Sequence, residues 1–147
     1  MSEPADSRSG NRTEGPVGVG FVIVGAGECG TRAALALREA GYEGPVTLLG
    51  AEIHLPYERP PLSKAYMADG AAERLFLKPA SFYERSEIRY LEGTEVAAID
   101  REAREITVSG GKPWEYDHLI LATGARNFRP PIPGREVEGV LELRTLA

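Results

Sequence analysis

Cysteine is nearly absent from this 147-residue chain, in which Cys29 stands alone. A disulfide framework within the chain is therefore excluded, and so is a CxxC metal or redox pair. Histidine is almost as sparse. His54 and His118 are isolated from each other, so neither points to a metal site and no metal is expected. No stretch approaches the roughly 18 apolar residues of a membrane span, and no membrane partner is expected. Positive charge is not in excess either. Seventeen Lys and Arg face 22 Asp and Glu, a formal net charge of −5, so nucleic acid is not an expected partner. The opening MSEPADSRSGNRTEGP lacks the apolar core of a secretory signal. It is polar, with Gly, Ser and Pro, and reads as a disordered tail over residues 1–16. The cytoplasm is the expected location.

What is present suits one soluble domain with a packed core, since 42% of residues are hydrophobic and 27% charged. Residues 19–24 (VGFVIV) form a short, almost continuous apolar run, the pattern of a strand buried on both faces of a parallel sheet. GAGECG follows, then TRAALALREAGY, whose Ala and Leu residues favour a helix. Gly41 is placed to cap its C-terminus. Residues 46–49 (VTLL) start a second strand, completing strand, Gly-rich turn, helix and strand in about 30 residues, the length of a βαβ unit. Pro56, Pro60 and Pro61 cannot sit inside a sheet and predict a rigid loop leading into a short helix near Leu62. Residues 73–78 read as a connector, 80–84 as a helix and 88–91 as a third strand. Residues 94–100, 105–108 and 114–116 read as an antiparallel meander, with Ser109, Gly110 and Gly111 marking one of its turns. Residues 118–123 (HLILAT) are again strand-like and end at Gly124, and a Pro-rich loop follows. The fold class predicted is α/β: a Rossmann-like three-layer fold with a parallel sheet plus a three-stranded antiparallel meander, expected to be incomplete. An open sheet edge would favour pairing or aggregation.

Gly25, Gly27 and Gly30 form GxGxxG, with Ala26 and Cys29 between them. The first glycine allows the tight turn out of the strand. The second lets the backbone approach a pyrophosphate, and the third lets the helix pack on the strand. The helix N-terminus then directs N–H groups and a positive dipole end at the phosphates. Alone, the motif equally describes a Gly-rich turn that binds nothing. Here it follows an apolar strand and opens a helix, the context that supports dinucleotide binding. Glu28 within the turn is unfavourable for an anion unless it points away. Cys29 reads as a small residue buried at the helix start rather than a redox centre, although a helix N-terminus could lower its pKa. Glu52 is the candidate acid for ribose hydroxyls, slightly late for that role. The fingerprint does not separate FAD from NAD.

Taken together, VIVGAGECGTRAALALREAGYEG, LPYERPPLSK, LILATGARNFRPPIPG and LELRTLA closely resemble NAD(P)H-dependent ferredoxin reductases of the rubredoxin reductase type. RPPLSK is far more specific than the glycines, and the resemblance runs from about Val17 to the last residue. It implies an FAD-binding domain with the pyrophosphate over residues 25–30. It also implies Arg59 and Lys64 near the flavin and pyrophosphate, and Val96 at the adenine end through its backbone. Thr123 and Gly124 would pass close to the dinucleotide, and Arg144 would reach toward the phosphates. Members of the family often carry an acid after the glycine matching Gly50. This chain has Ala51 there and Glu52 one place later, which puts ribose binding by Glu52 in doubt. Each cation also has a plainer reading. Lys64 could be a surface lysine on a short helix, Arg59 could be solvated or paired with Glu58, and Arg144 could be a free residue.

Disulfide reductases of this broad class need a cysteine pair beside the flavin, and Cys29 has no partner. The resemblance instead implies a hydride from NAD(P)H to FAD, then single electrons to a ferredoxin or rubredoxin-type partner. The family's FAD domain is split around an NAD(P)H-binding domain, and no second GxGxxG follows Gly124. Residues 17–147 are therefore expected to be the N-terminal segment of an FAD domain, inactive alone, with a second chain as one source of the rest. The alternatives are a free-standing dinucleotide-binding module without turnover, and a simple NAD-binding domain that uses Glu52.

Overall fold

The computed structural model describes residues 19–146, so the tail expected over 1–16 lies outside the described residues. Among the described residues, seven strands and three α-helices follow in chain order: β1 (Phe21–Val24), α1 (Glu28–Glu39), β2 (Val46–Leu49), α2 (Ala65–Asp69), α3 (Ala80–Arg85), β3 (Ile88–Leu91), β4 (Val96–Asp100), β5 (Glu105–Val108), β6 (Pro113–Glu115) and β7 (His118–Leu121). Short 3₁₀ turns at Pro60–Ser63 and Ala72–Leu75 flank α2. The helix expected near Leu62 thus begins as a 3₁₀ turn, with its two prolines in the first positions, where no intrahelical N–H is needed. The expected connector over 73–78 contains the second turn and then Phe76, which bridges to Tyr57.

β3, β2, β1 and β7 form one sheet in that order, all parallel. β4, β5 and β6 form the antiparallel meander. Alternation along the central strands builds three layers. Ile23 and Leu48 face α1 and α3, meeting Ala34 and Tyr83. Val22, Val24 and Leu49 face the meander, meeting Ile106, Val108 and Trp114. Ile23, Leu48 and Ile106 are fully buried, each side chain contributing about 1.5–3 kcal/mol of hydrophobic stabilisation. This two-sided burial is why β1 and β2 read as continuous apolar runs.

Arg38, in the last turn of α1, joins the layer edges. Its guanidinium donates to the carbonyls of Ser86 (2.9 Å), Tyr42 (2.6 Å), Gly44 (2.8 Å) and Glu87 (2.6 Å). Beyond β7 the chain runs without regular secondary structure and leaves Phe128 and Leu141 almost wholly exposed. β1 sits where the strand order reverses, with β2 on one side and β7 on the other. In an open parallel sheet the crevice outside the carboxyl ends of such strands is where ligands bind.

Candidate dinucleotide site

The cleft lies at that switch point. Gly25, Ala26 and Gly27 line it from the β1–α1 turn, Gly50, Ala51, Glu52, His54, Tyr57 and Arg59 from the loop after β2, and Ala122, Thr123, Gly124 and Arg144 from the segment after β7.

The three motif glycines have different causes. Gly25 has φ +107°, and a Cβ there would overlap the carbonyl of Ala122. At Gly30 a Cβ would overlap the carbonyl of Gly25, so α1 could not approach the turn. Both glycines are required by the protein itself. Gly27 is not. It has φ −81° and ψ −169°, a conformation any residue adopts, and nothing lies within 4 Å of where its Cβ would be. The space above Gly27 is open, and it faces the start of α1, where Gly27 supplies no side-chain cap. A backbone bare at this point, under unpaired helix N–H groups, fits an anion pressed against the chain. Glu28 does not oppose one, because its carboxylate is turned along the helix to Arg32, 2.8 Å away.

The facing wall is a loop held on all sides. Gly50 N–H donates to Leu91 and Thr94 N–H to Gly50, at 2.9 and 2.7 Å. Gly93 N–H donates to Glu52 at 2.9 Å, and the Tyr90 hydroxyl donates to the His54 carbonyl at 2.6 Å. Both oxygens of the half-buried Glu52 carboxylate are engaged. Arg59 donates to Oε1 at 2.5 Å and the Tyr57 hydroxyl to Oε2 at 2.6 Å. Arg59 also donates to the Arg144 carbonyl at 2.6 Å. The Arg144 side chain in turn donates to the Ala125 carbonyl. Burial, then the hydrogen bond to Glu52, pushes the Tyr57 phenol up to about 12. Burial likewise raises Tyr90.

Of the residues singled out in the sequence, the structure brings Gly25, Ala26, Gly27, Glu52, Arg59, Thr123, Gly124 and Arg144 to one cleft. Cys29, Gly30, Lys64 and Val96 do not line it. Gly30 is buried beneath the turn. Lys64 is exposed at the junction between the 3₁₀ turn and α2, and Val96 packs on the meander core. One reading is corrected. Cys29 is exposed, not buried, because the face α1 buries is that of Gly30, Thr31 and Ala34. The ion pair that Arg59 forms is with Glu52 rather than the Glu58 of its plainer reading, because the loop folds back on itself while Glu58 stays exposed. Tyr57, Tyr90 and Arg38 carried no role in the sequence. Tyr57 lies within the quoted LPYERPP, but its partners are known only from the fold.

A family model described as pyridine nucleotide-disulphide oxidoreductase matches residues 20–147. Rhodocoxin reductase of Rhodococcus erythropolis is 47% identical over 126 residues, which cover 85% of this chain and 30% of that protein. A rubredoxin-NAD(+) reductase of Pseudomonas putida is 42% identical over 127 residues, 86% of this chain and 33% of the relative. Among solved structures, a ferredoxin reductase from Rhodopseudomonas palustris superposes with a TM-score of 0.80 at 42% identity, over 88% of this chain and 32% of that one. A covalent putidaredoxin reductase–putidaredoxin complex gives a TM-score of 0.73 at 41% identity, over 79% and 28%. The chain thus spans about a third of the length of the relatives it matches. Among the described residues, no helix is long and apolar enough to cross a membrane, and no group of three or more His, Cys, Asp or Glu could hold a metal ion.

Proposed function

The chain belongs to the pyridine nucleotide-disulphide oxidoreductase family, and from that premise we propose that it binds FAD as the dinucleotide-holding part of an NAD(P)H-dependent ferredoxin or rubredoxin reductase. One observation carries the binding claim: Gly27 is bare where nothing in the protein requires it. Residues 25–30 would hold the pyrophosphate, with the start of α1 supplying N–H groups. Arg144, whose charge faces the turn after β7, would balance phosphate charge from the opposite wall. Thr123 and Gly124 line the path of the dinucleotide between them. Bound FAD would supply the conversion of a hydride from NAD(P)H into single electrons for an iron–sulfur or rubredoxin-type acceptor. The names of the relatives support that acceptor class. Lys64 and Val96 are assigned to the flavin and adenine ends on the family resemblance alone.

Glu52 does not by itself separate FAD from a simple NAD-binding domain, since each of its oxygens already accepts one hydrogen bond and keeps a lone pair for a ribose hydroxyl. The test is a titration of the purified chain with FAD, followed by quenching of flavin fluorescence, with NADH as a competing ligand. Saturable FAD binding that NADH does not displace is expected. A chain that takes up no FAD, or prefers NADH, overturns the proposal.

A further inference from the structure

We propose that Tyr57 is a positioning residue for this site: its hydroxyl latches segment 144–146 to the Glu52 loop, so that ordering of the segment and retention of the dinucleotide are coupled. The proposal rests on the FAD-binding reading above.

A tyrosine hydroxyl has one proton to donate and two lone pairs to accept with, and here all three are used. It donates to Glu52 Oε2 at 2.6 Å, and accepts from the Leu146 N–H at 3.1 Å and from Arg59 at 3.3 Å. Those partners come from two regions far apart in sequence. The ring that carries the hydroxyl is fixed. It is 5% exposed and packs with Leu62, Leu75, Phe76 and Leu146. Its backbone is held on both sides, by Glu58 N–H to Leu75 and by Leu77 N–H to Pro56, at 2.9 and 2.8 Å. Arg59 lies over the ring, 5.3 Å from its centre, and reaches from Glu52 to the Arg144 carbonyl. Arg144 thus has its main chain tied to one wall and its side chain tied to the turn after β7.

The consequence is preorganisation. With the latch closed, Arg59 and Arg144 both face the cleft and, among the described residues, Arg59 is the one paired with a carboxylate. A pyrophosphate arriving at Gly27 meets cations already in place and orders little chain on binding. Without the hydroxyl, Glu52 and the Leu146 amide each lose a partner, and the segment must be ordered at the expense of affinity.

Tyr57→Phe in the whole chain keeps the ring and removes the hydroxyl. The expected result is FAD binding weakened about 5–20-fold, the scale of losing one or two such hydrogen bonds. Amide exchange at Leu146, measured without FAD, should quicken about tenfold, while amides of β1 and β2 keep their protection. Arg59→Lys, which retains the charge but not the double reach, should loosen the same amide. Combined with Tyr57→Phe it should cost less than the sum of the two. Should Tyr57→Phe fail to fold, Arg59→Lys carries the test through the same two readouts. Wild-type FAD affinity in Tyr57→Phe, or exchange that quickens uniformly along the chain as a merely structural role predicts, overturns the latch. Failure of the wild-type chain itself to take up FAD overturns the binding reading, and the coupling with it.

Discussion

The two walls of the cleft are built by opposite means. The β1–α1 wall is made mostly by neighbours in sequence: a strand end, three glycines and the first turn of a helix, within residues 24–31. The opposite wall joins Glu52, Tyr57 and Arg59 to Arg144 and Leu146, across separations of 85 and 89 residues. One wall is a shape set by backbone sterics. The other is a charged network that exists only when distant segments meet. The first should therefore respond to substitution through folding or through steric access, and the second through affinity and local order.

The largest effect that would sharpen this contrast is at Gly25. Gly25→Ala places a side chain at positive φ and against the Ala122 carbonyl. It should destabilise the fold by at least about 3 kcal/mol, read as a lowered urea midpoint. A variant as stable as wild type would mean that this wall is softer than its geometry states. Arg38→Ala comes next. It removes four bonds to carbonyls far from the cleft, and should cost about 2 kcal/mol in urea denaturation while leaving the FAD affinity of the folded chain unchanged.

Gly27→Ala reverses that pattern. Nothing in the protein resists the added methyl, so stability should change by less than about 1 kcal/mol. FAD affinity should fall tenfold or more, about 1.4 kcal/mol. Equal affinity for FAD in the two proteins would remove the observation on which the binding claim stands. A further effect belongs to Tyr57 at alkaline pH. Burial, then the bond to Glu52, holds its phenol at about 12 against an ordinary 10.0. A proton held more tightly when folded favours the folded state. That contribution is complete below pH 10 and is lost as the pH rises through about 12. Urea midpoints measured between pH 10 and 12 should fall more gently in Tyr57→Phe than in wild type.

Much of the fold was legible in the sequence because its strands obey simple periodicities. Apolar runs at β1 and β2 reflect burial on two faces, β7 keeps such a run although it is an edge strand with His118 and Leu121 exposed, and the turn at Ser109–Gly111 marks the β5–β6 hairpin of the meander. The reading failed where burial depends on which way a helix is rotated. Cys29 is small and adjacent to Gly30, yet lies off the buried stripe of α1. It left open which partner a charge takes where several lie near in sequence. Glu58 is next to Arg59 in sequence, but the loop turns Arg59 to Glu52.

By itself, the sequence determined the β1–α1 cradle, since a turn at positive φ, a close helix–strand approach and a bare backbone are each written as a glycine at a set spacing. The tertiary structure alone decided the Tyr57 latch. Hydrogen bonds between segments nearly 90 residues apart leave no periodic trace, because they depend on where the sheet and the Pro-rich loop carry each segment in space.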